Sequence, residues 1–155
     1  MKLVELVRPE RVAARLRSTE KLEVLEELAS LLATDDSQAI SARDYGRVLI
    51  ERERLRSTGV GSGVAIPHGR VPGLEHLSLA VGLSRPGIEF DAADGRPVHI
   101  FMALAAPQSS TGDHLKALAR VAWLCNDAGF RERLLACETD SDAYALLIAE
   151  DEAHP

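Results

Sequence analysis

The 155-residue chain is short of the features that would place it in several large classes. It has two cysteines, Cys125 and Cys137, with no CxxC spacing and no histidine cluster nearby, so neither a disulfide framework nor a zinc site fits, and both are read as reduced core or boundary residues. No apolar run approaches the roughly 18 residues of a membrane span; the longest candidate is Ile100 to Ala106. The N-terminus, MKLVELVRPER, is too short and too charged for a signal peptide. Lysine and arginine are nowhere concentrated, and the net charge is −6, which argues against nucleic acid, while the lack of a long apolar run argues against direct membrane insertion. A cytoplasmic protein that meets metabolites or other proteins is expected. The acidic surface should limit docking to partners with a basic or apolar face.

What is present fits one globular domain. The chain is 46% hydrophobic and 27% charged, enough for a sizeable core. Leu3 to Val7 reads as a weak strand or short helix ended by Pro9. Ser18 or Thr19 can cap a helix with Glu20 in its first turn and Leu22, Leu25, Leu28, Ala29 and Leu32 on one face. After the polar break from Thr34 to Ser37, Ser41 with Asp44 three residues on has capping spacing, and Tyr45, Val48, Leu49 and Arg52 continue one side of a second helix.

Leu77 to Ser84 alternates like a strand, and Arg85-Pro86-Gly87 reads as a turn. Ile88 to Phe90 and Val98 to Leu104 read as two further strands, with Asp94-Gly95 as a hairpin signal between them. Thr111 is expected to cap a helix that buries Leu115, Leu118, Ala119, Ala122 and Cys125. Two shorter helices follow, near Phe130 to Cys137 and Asp142 to Ala149. The expectation is an α/β domain over residues 1–150, a mixed sheet with helices on both faces, and a disordered tail at 151–155.

The chemistry concentrates in Arg56 to Arg70, RSTGVGSGVAIPHGR. Ser57 and Thr58 precede three alternate glycines, Gly59, Gly61 and Gly63. Glycine is worth its entropic cost where φ must be positive or where backbone lies against a ligand, so the run suggests amides turned toward an anion. The apolar Val64-Ala65-Ile66 then stops at Pro67-His68-Gly69, which places His68 at a strand end on the rim of the sheet. Most histidines are surface or satisfied core residues, and His76, His99 and His154 have no context that says otherwise. His114 stands out because the first turn of a capped helix favours an anion and a neutral imidazole.

The glycine run is neither GxxxxGK[ST] nor GxGxxG opening a helix, which disfavours nucleotides. The histidine spacing lacks HExxH, so no metal or other cofactor is expected. Ser57 or Ser62 with His68 lacks a GxSxG elbow. What remains is a histidine nucleophile for phosphoryl transfer, surrounded by amides, hydroxyls and a guanidinium.

Taken together, STGVGSGVAIPHGR, the preceding ERERL, the later FDAADGRPV and the TGDHLKALA segment resemble the IIA component of the bacterial phosphotransferase system, of the fructose, mannitol and nitrogen-regulatory type. The resemblance covers nearly the whole chain and implies a mixed sheet of about five strands. It implies that His68, in AIPHG, takes a phosphoryl group from HPr or its nitrogen-branch counterpart, NPr. Arg52 matches the family's helix arginine and His114 its assisting histidine. Ser57, Thr58, Gly59, Gly61 and Gly63 would then line the phosphoryl pocket, and the onward partner would be a IIB component or a regulated target. The family often has glycine just before STG, where this chain has Arg56. A chain that reads as one domain without an attached IIB fits the nitrogen-regulatory branch better than a sugar permease. The alternatives are a sugar-transport IIA, or a binding module whose phosphorylation state toggles partner affinity.

Overall fold

The computed structural model describes residues 1–34 and 39–155. After a single 3-10 turn at Leu3–Glu5, the chain forms β1 (Val7–Ala13), α1 (Lys21–Leu32), α2 (Ala42–Leu55), β2 (Gly59–Gly61), β3 (Val64–Ala65), β4 (His68–Val71), β5 (Ser78–Ile88), β6 (Val98–Pro107), α3 (Gly112–Cys125), α4 (Ala128–Ala136) and α5 (Asp140–Ala153). The expected break at Thr34 to Ser37 falls mostly outside the described residues.

The six strands form one mixed sheet in the order β1-β5-β6-β3-β2, and β4 also pairs with β6. Both β3 and β4 run parallel to β6, one after the other, so the sheet is five strands wide. Strand alternation sends Leu79, Val81, Leu83, Ile100, Met102 and Leu104 to a core shared with α3, α4 and α5. Ala80, Phe101, Ala103 and Ala105 face the other core, under α1 and α2. The sheet is therefore covered on both faces, as the apolar strand patterns require.

Several local expectations give way to tertiary context. The first strand runs through Pro9, which is tolerated because β1 is an edge strand with a bulge between Val7 and Val12. Arg85-Pro86-Gly87 does not end its strand: β5 continues to Ile88 across a second bulge, and Ile88–Phe90 is not a separate strand. His99 fills that bulge, its Nδ1–H donating to the Ser84 and Arg85 carbonyls at 3.0 and 3.1 Å.

The first helix starts at Lys21 without a side-chain cap, and Ser18 instead donates its amide and hydroxyl to the Glu27 carboxylate. Leu22, expected on the buried face, is exposed, and Val24 takes its place. The Ser41 cap forms as expected, its Oγ accepting from the Asp44 amide. Thr111 precedes α3 but provides no side-chain cap.

The C-terminus differs most. Helix α5 runs to Ala153, through the stretch expected to be a disordered tail. Asp151 is buried, accepting from the Leu3 amide at 2.7 Å and from Arg120 Nε at 2.8 Å, which fastens the end of the chain to its beginning and to α3. The cysteines are free: Cys125 is buried, which pushes its thiol up to about 12, and Cys137 is half-buried at the end of α4.

Candidate functional site

His68 follows a break in the backbone ladder. Val64 and Ala65 pair with β6, Pro67 cannot donate to a ladder, and pairing resumes with His68 opposite Leu104. The histidine thus begins a strand rather than ending one, but it stands at the edge of the break as the sequence requires. Gly69 explains the residue after it: an added Cβ would run into the Val48 side chain on α2. That close approach of strand to helix brings His68 beside Arg52, which lies one helical turn beyond Val48.

His68, Arg52, Arg56, Ser57, Thr58, Gly59, Val60 and Ile66 line one open hollow of about 630 Å³, together with Leu118, Ala119 and Ala122 of α3. His68 Nδ1 lies 2.7 Å from the Ile66 carbonyl oxygen. A carbonyl only accepts, so Nδ1 carries the proton and Nε2 keeps the free lone pair. Burial is the main influence that holds the ring below its ordinary 6.5; the Ile66 carbonyl raises it, Arg52 lowers it and Glu53 raises it. The neutral form is the one favoured.

His114 lies in the first turn of α3 and packs edge-on against His68, ring centroids 5.7 Å apart at 70°. The helix start was expected, but the burial was not: His114 is 7% exposed, and its Nε2 has no hydrogen-bond partner among the described residues. Burial, followed by His68 and Arg70, depresses its pKa. An unsatisfied buried nitrogen on a well-packed ring is uncommon in folded proteins, and ligand sites are one place where it occurs.

Arg52 Nη1 donates to the Arg56 carbonyl at 2.8 Å, closing the end of α2 while the guanidinium faces the hollow. Arg56 is extended, at φ −170° and ψ 141°, a conformation open to any residue, so no glycine is needed there. The hydroxyls of the loop are already engaged. Ser57 Oγ donates to the Phe90 carbonyl at 2.9 Å and accepts from the Gly59 amide, and Thr58 Oγ donates to Glu53.

The three glycines separate into two groups. Gly59 lies on the hollow and is packed so tightly on Ala92 that a Cβ would meet its Cβ at 2.7 Å. Gly61 and Gly63 sit with Ser62 in a hairpin tip with φ of 102°, 77° and 57° respectively. That tip is held by Asp94, which accepts from the Ser62 amide, and by β6, whose His99 and Ile100 amides donate to the Gly63 carbonyl. Neither Gly61 nor Gly63 lines the hollow; turn geometry accounts for them.

Two residues went unread in the sequence. Glu53, in the charged ERER tail, is buried beneath the loop. Arg70 lies two residues from His68 on β4, hence on the same face, and acts on His114. The motif PHGR carried a signal for the second, since alternation pairs positions 68 and 70; the first had none.

Residues 5–150 match the protein-family model described as "Phosphoenolpyruvate-dependent sugar phosphotransferase system, EIIA 2". The chain belongs to this EIIA family. It is therefore a component of a phosphotransferase system. A nitrogen regulatory protein of Bradyrhizobium diazoefficiens is 40% identical to this EIIA chain over 148 residues, covering 95% of each. The structure of the nitrogen regulatory protein IIA-Ntr from Neisseria meningitidis superposes with a TM-score of 0.84 at 33% identity, over 92% of this chain and 97% of that one. The fructose-specific EIIABC component of Bacillus subtilis is 30% identical over 152 residues, spanning 97% of this chain but 24% of that protein. Among the described residues of this EIIA chain, no helix is long and apolar enough to cross a membrane.

Proposed function

We propose that this EIIA chain is a histidine phosphocarrier of the nitrogen-regulatory branch, accepting a phosphoryl group on His68 Nε2 from phosphohistidine on HPr or NPr. The observation that carries the reading is the Nδ1–H bond to the Ile66 carbonyl, which leaves Nε2 as the nucleophilic atom in a hollow shared with Arg52. In the transfer, the Nε2 lone pair forms a new P–N bond as the donor's P–N bond breaks, and that electron pair returns to the donor histidine. Such a transition state asks for alignment and charge neutralisation. The free N–H groups of Arg52 meet two phosphoryl oxygens, a geometry a lysine lacks. His114 Nε2–H donates to a third oxygen, which gives its unpartnered nitrogen a bond in the loaded state.

The docking partner fits the outward side of α3. Val60, exposed, lines the hollow of His68 and Arg52 with Leu118, Ala119 and Ala122, and Leu115, also exposed, lies one helical turn before Ala119. A small phosphocarrier protein with a complementary apolar patch would bury these residues and exclude water from the transfer. A IIB component, or a protein whose activity the phosphorylated chain regulates, would use the same face.

The likeness to the Bradyrhizobium and Neisseria proteins over nearly the whole chain favours nitrogen regulation. The match to the Bacillus fructose component supports a second reading, a sugar-transport IIA. Passing the label to a fructose-type IIB domain would favour the second; phosphorylation-dependent binding of regulatory targets without such transfer would favour the first.

The test is incubation with phosphoenolpyruvate and the general phosphotransferase proteins, which should add one acid-labile, base-stable phosphate per chain. The pH dependence follows from burial of His68. Because its pKa is lowered, the ring stays neutral as pH falls through 6.5 and protonates only below that value. An NMR titration of the His68 ring, and the acid limb of the acceptance rate, should both have midpoints under 6.5. A midpoint at or above 6.5 would remove the electrostatic part of this account.

A further inference from the structure

A carboxylate near the end of a surface helix is ordinarily solvated, yet Glu53 is 6% exposed. Its two oxygens are fully used. The Thr58 amide donates to them at 3.1 and 2.9 Å, the Thr58 hydroxyl donates to Oε2 at 2.5 Å, and Lys21 Nζ lies 3.1 Å from Oε1. Lys21 also reaches Asp91 at 3.3 Å and lies over the Phe90 ring, 4.8 Å from its centroid. The Glu53–Lys21 pair therefore joins α1, α2, the start of the glycine hairpin and, through Lys21, the segment before β6. The residue before Glu53 on α2 is Arg52, and the segment Glu53 fixes, Ser57 to Gly59, walls the hollow that holds His68.

Burying an ion pair is costly, and a loop that needed only an anchor could have a neutral one. We propose that Glu53, with Lys21 as its counter-ion, is a positioning residue for phosphoryl transfer: through Thr58 it sets the wall of the hollow, and it places a negative charge behind Arg52 and His68. The inference rests on His68 being the phosphoryl acceptor. The charged and titratable groups around that ring are Arg52 and Glu53 on α2, Arg70 on its own strand, and His114 on α3. Of these, Glu53 alone is an anion, and it opposes the influence of Arg52 on His68.

The test is Glu53→Gln, which keeps the shape and one acceptor oxygen but sets an amide donor against Lys21 or Thr58. The variant should still be labelled on His68, with a single-turnover rate from phosphorylated HPr lower by about tenfold to a hundredfold, the scale of a small misplacement of reacting groups. The His68 titration midpoint should move down, because a charge that favoured the imidazolium is gone. A double variant, Lys21→Met with Glu53→Gln, removes the unpaired cation and should regain thermal stability without regaining the rate or the midpoint. If Glu53→Gln does not fold, the double variant gives both readings. A wild-type rate with an unchanged midpoint would overturn the inference, as would recovery of both in the double variant, which would leave Glu53 a structural anchor. A wild-type chain that takes no label on His68 would instead overturn the phosphocarrier reading itself.

Discussion

Replacing His68 by alanine is expected to abolish labelling by the phosphotransferase relay while leaving a folded protein. The loss should be complete rather than partial, because the substitution removes the proposed nucleophile and leaves no neighbour placed to substitute for it. His114 is the nearest candidate, but its nitrogen is buried, whereas His68 stands on the open hollow with Arg52. The structural cost is small: among the described residues the half-buried ring makes one hydrogen bond, to the Ile66 carbonyl, a contribution of about 1 kcal/mol. Circular dichroism and thermal melting should confirm the intact fold, and phosphate retained in this variant would move the acceptor elsewhere.

Replacing His114 by alanine should give a different defect. The label should still go onto His68, but more slowly by about a hundredfold, the loss that follows removal of one preorganised donor to a developing negative charge. Stability should change little. Although the ring is buried, its Nε2 has no partner among the described residues, so the substitution removes an unsatisfied polar atom together with apolar contact. Measuring single-turnover transfer from phosphorylated HPr separates the two histidines. If His114→Ala behaved like His68→Ala, with no label and an intact fold, the division between nucleophile and assistant would be wrong.

The sequence made the site's main components legible because its signals are local. AIPHG marks the break between β3 and β4, Ser41 caps α2, and the helical spacing from Val48 to Arg52 follows from that cap. The buried face of α3 was read only in part: Cys125 is buried and Leu118 packs against the core as expected. Leu115, Ala119 and Ala122 were expected in the core, yet they face outward, while His114, Ala117 and Val121 are buried. Periodicity identifies an apolar stripe without saying whether it meets the protein's own core or a partner, and a helix with both kinds of face is ambiguous. Glu53 was invisible for a related reason: its partners, Lys21 and Thr58, are brought to it by tertiary folding, so a buried carboxylate looked like one more charge in a solvated tail.

The last turn of α5, beyond the expected helix near Asp142 to Ala149, and the continuous β5 were missed where long-range contacts override local signals. Asp151 looks like part of an acidic tail until Arg120 and the Leu3 amide are placed against it. Pro86 looks like a turn until the bulge beside His99 accommodates it. The glycine run misled in the opposite direction. Gly61 and Gly63 serve the hairpin tip, with Asp94 and β6 holding it, and Gly59 alone of the three borders the hollow.

In the proposed transfer His68 accepts the phosphoryl group through Nε2, with Nδ1–H held by the Ile66 carbonyl. The most direct measurement is NMR of the phosphorylated chain with ¹⁵N-labelled histidine, in which coupling to phosphorus identifies the bonded nitrogen. Coupling is expected to Nε2 of His68, with its Nδ1 still protonated. Phosphorus bonded to Nδ1 of His68, or to any other residue, would contradict the proposed transfer.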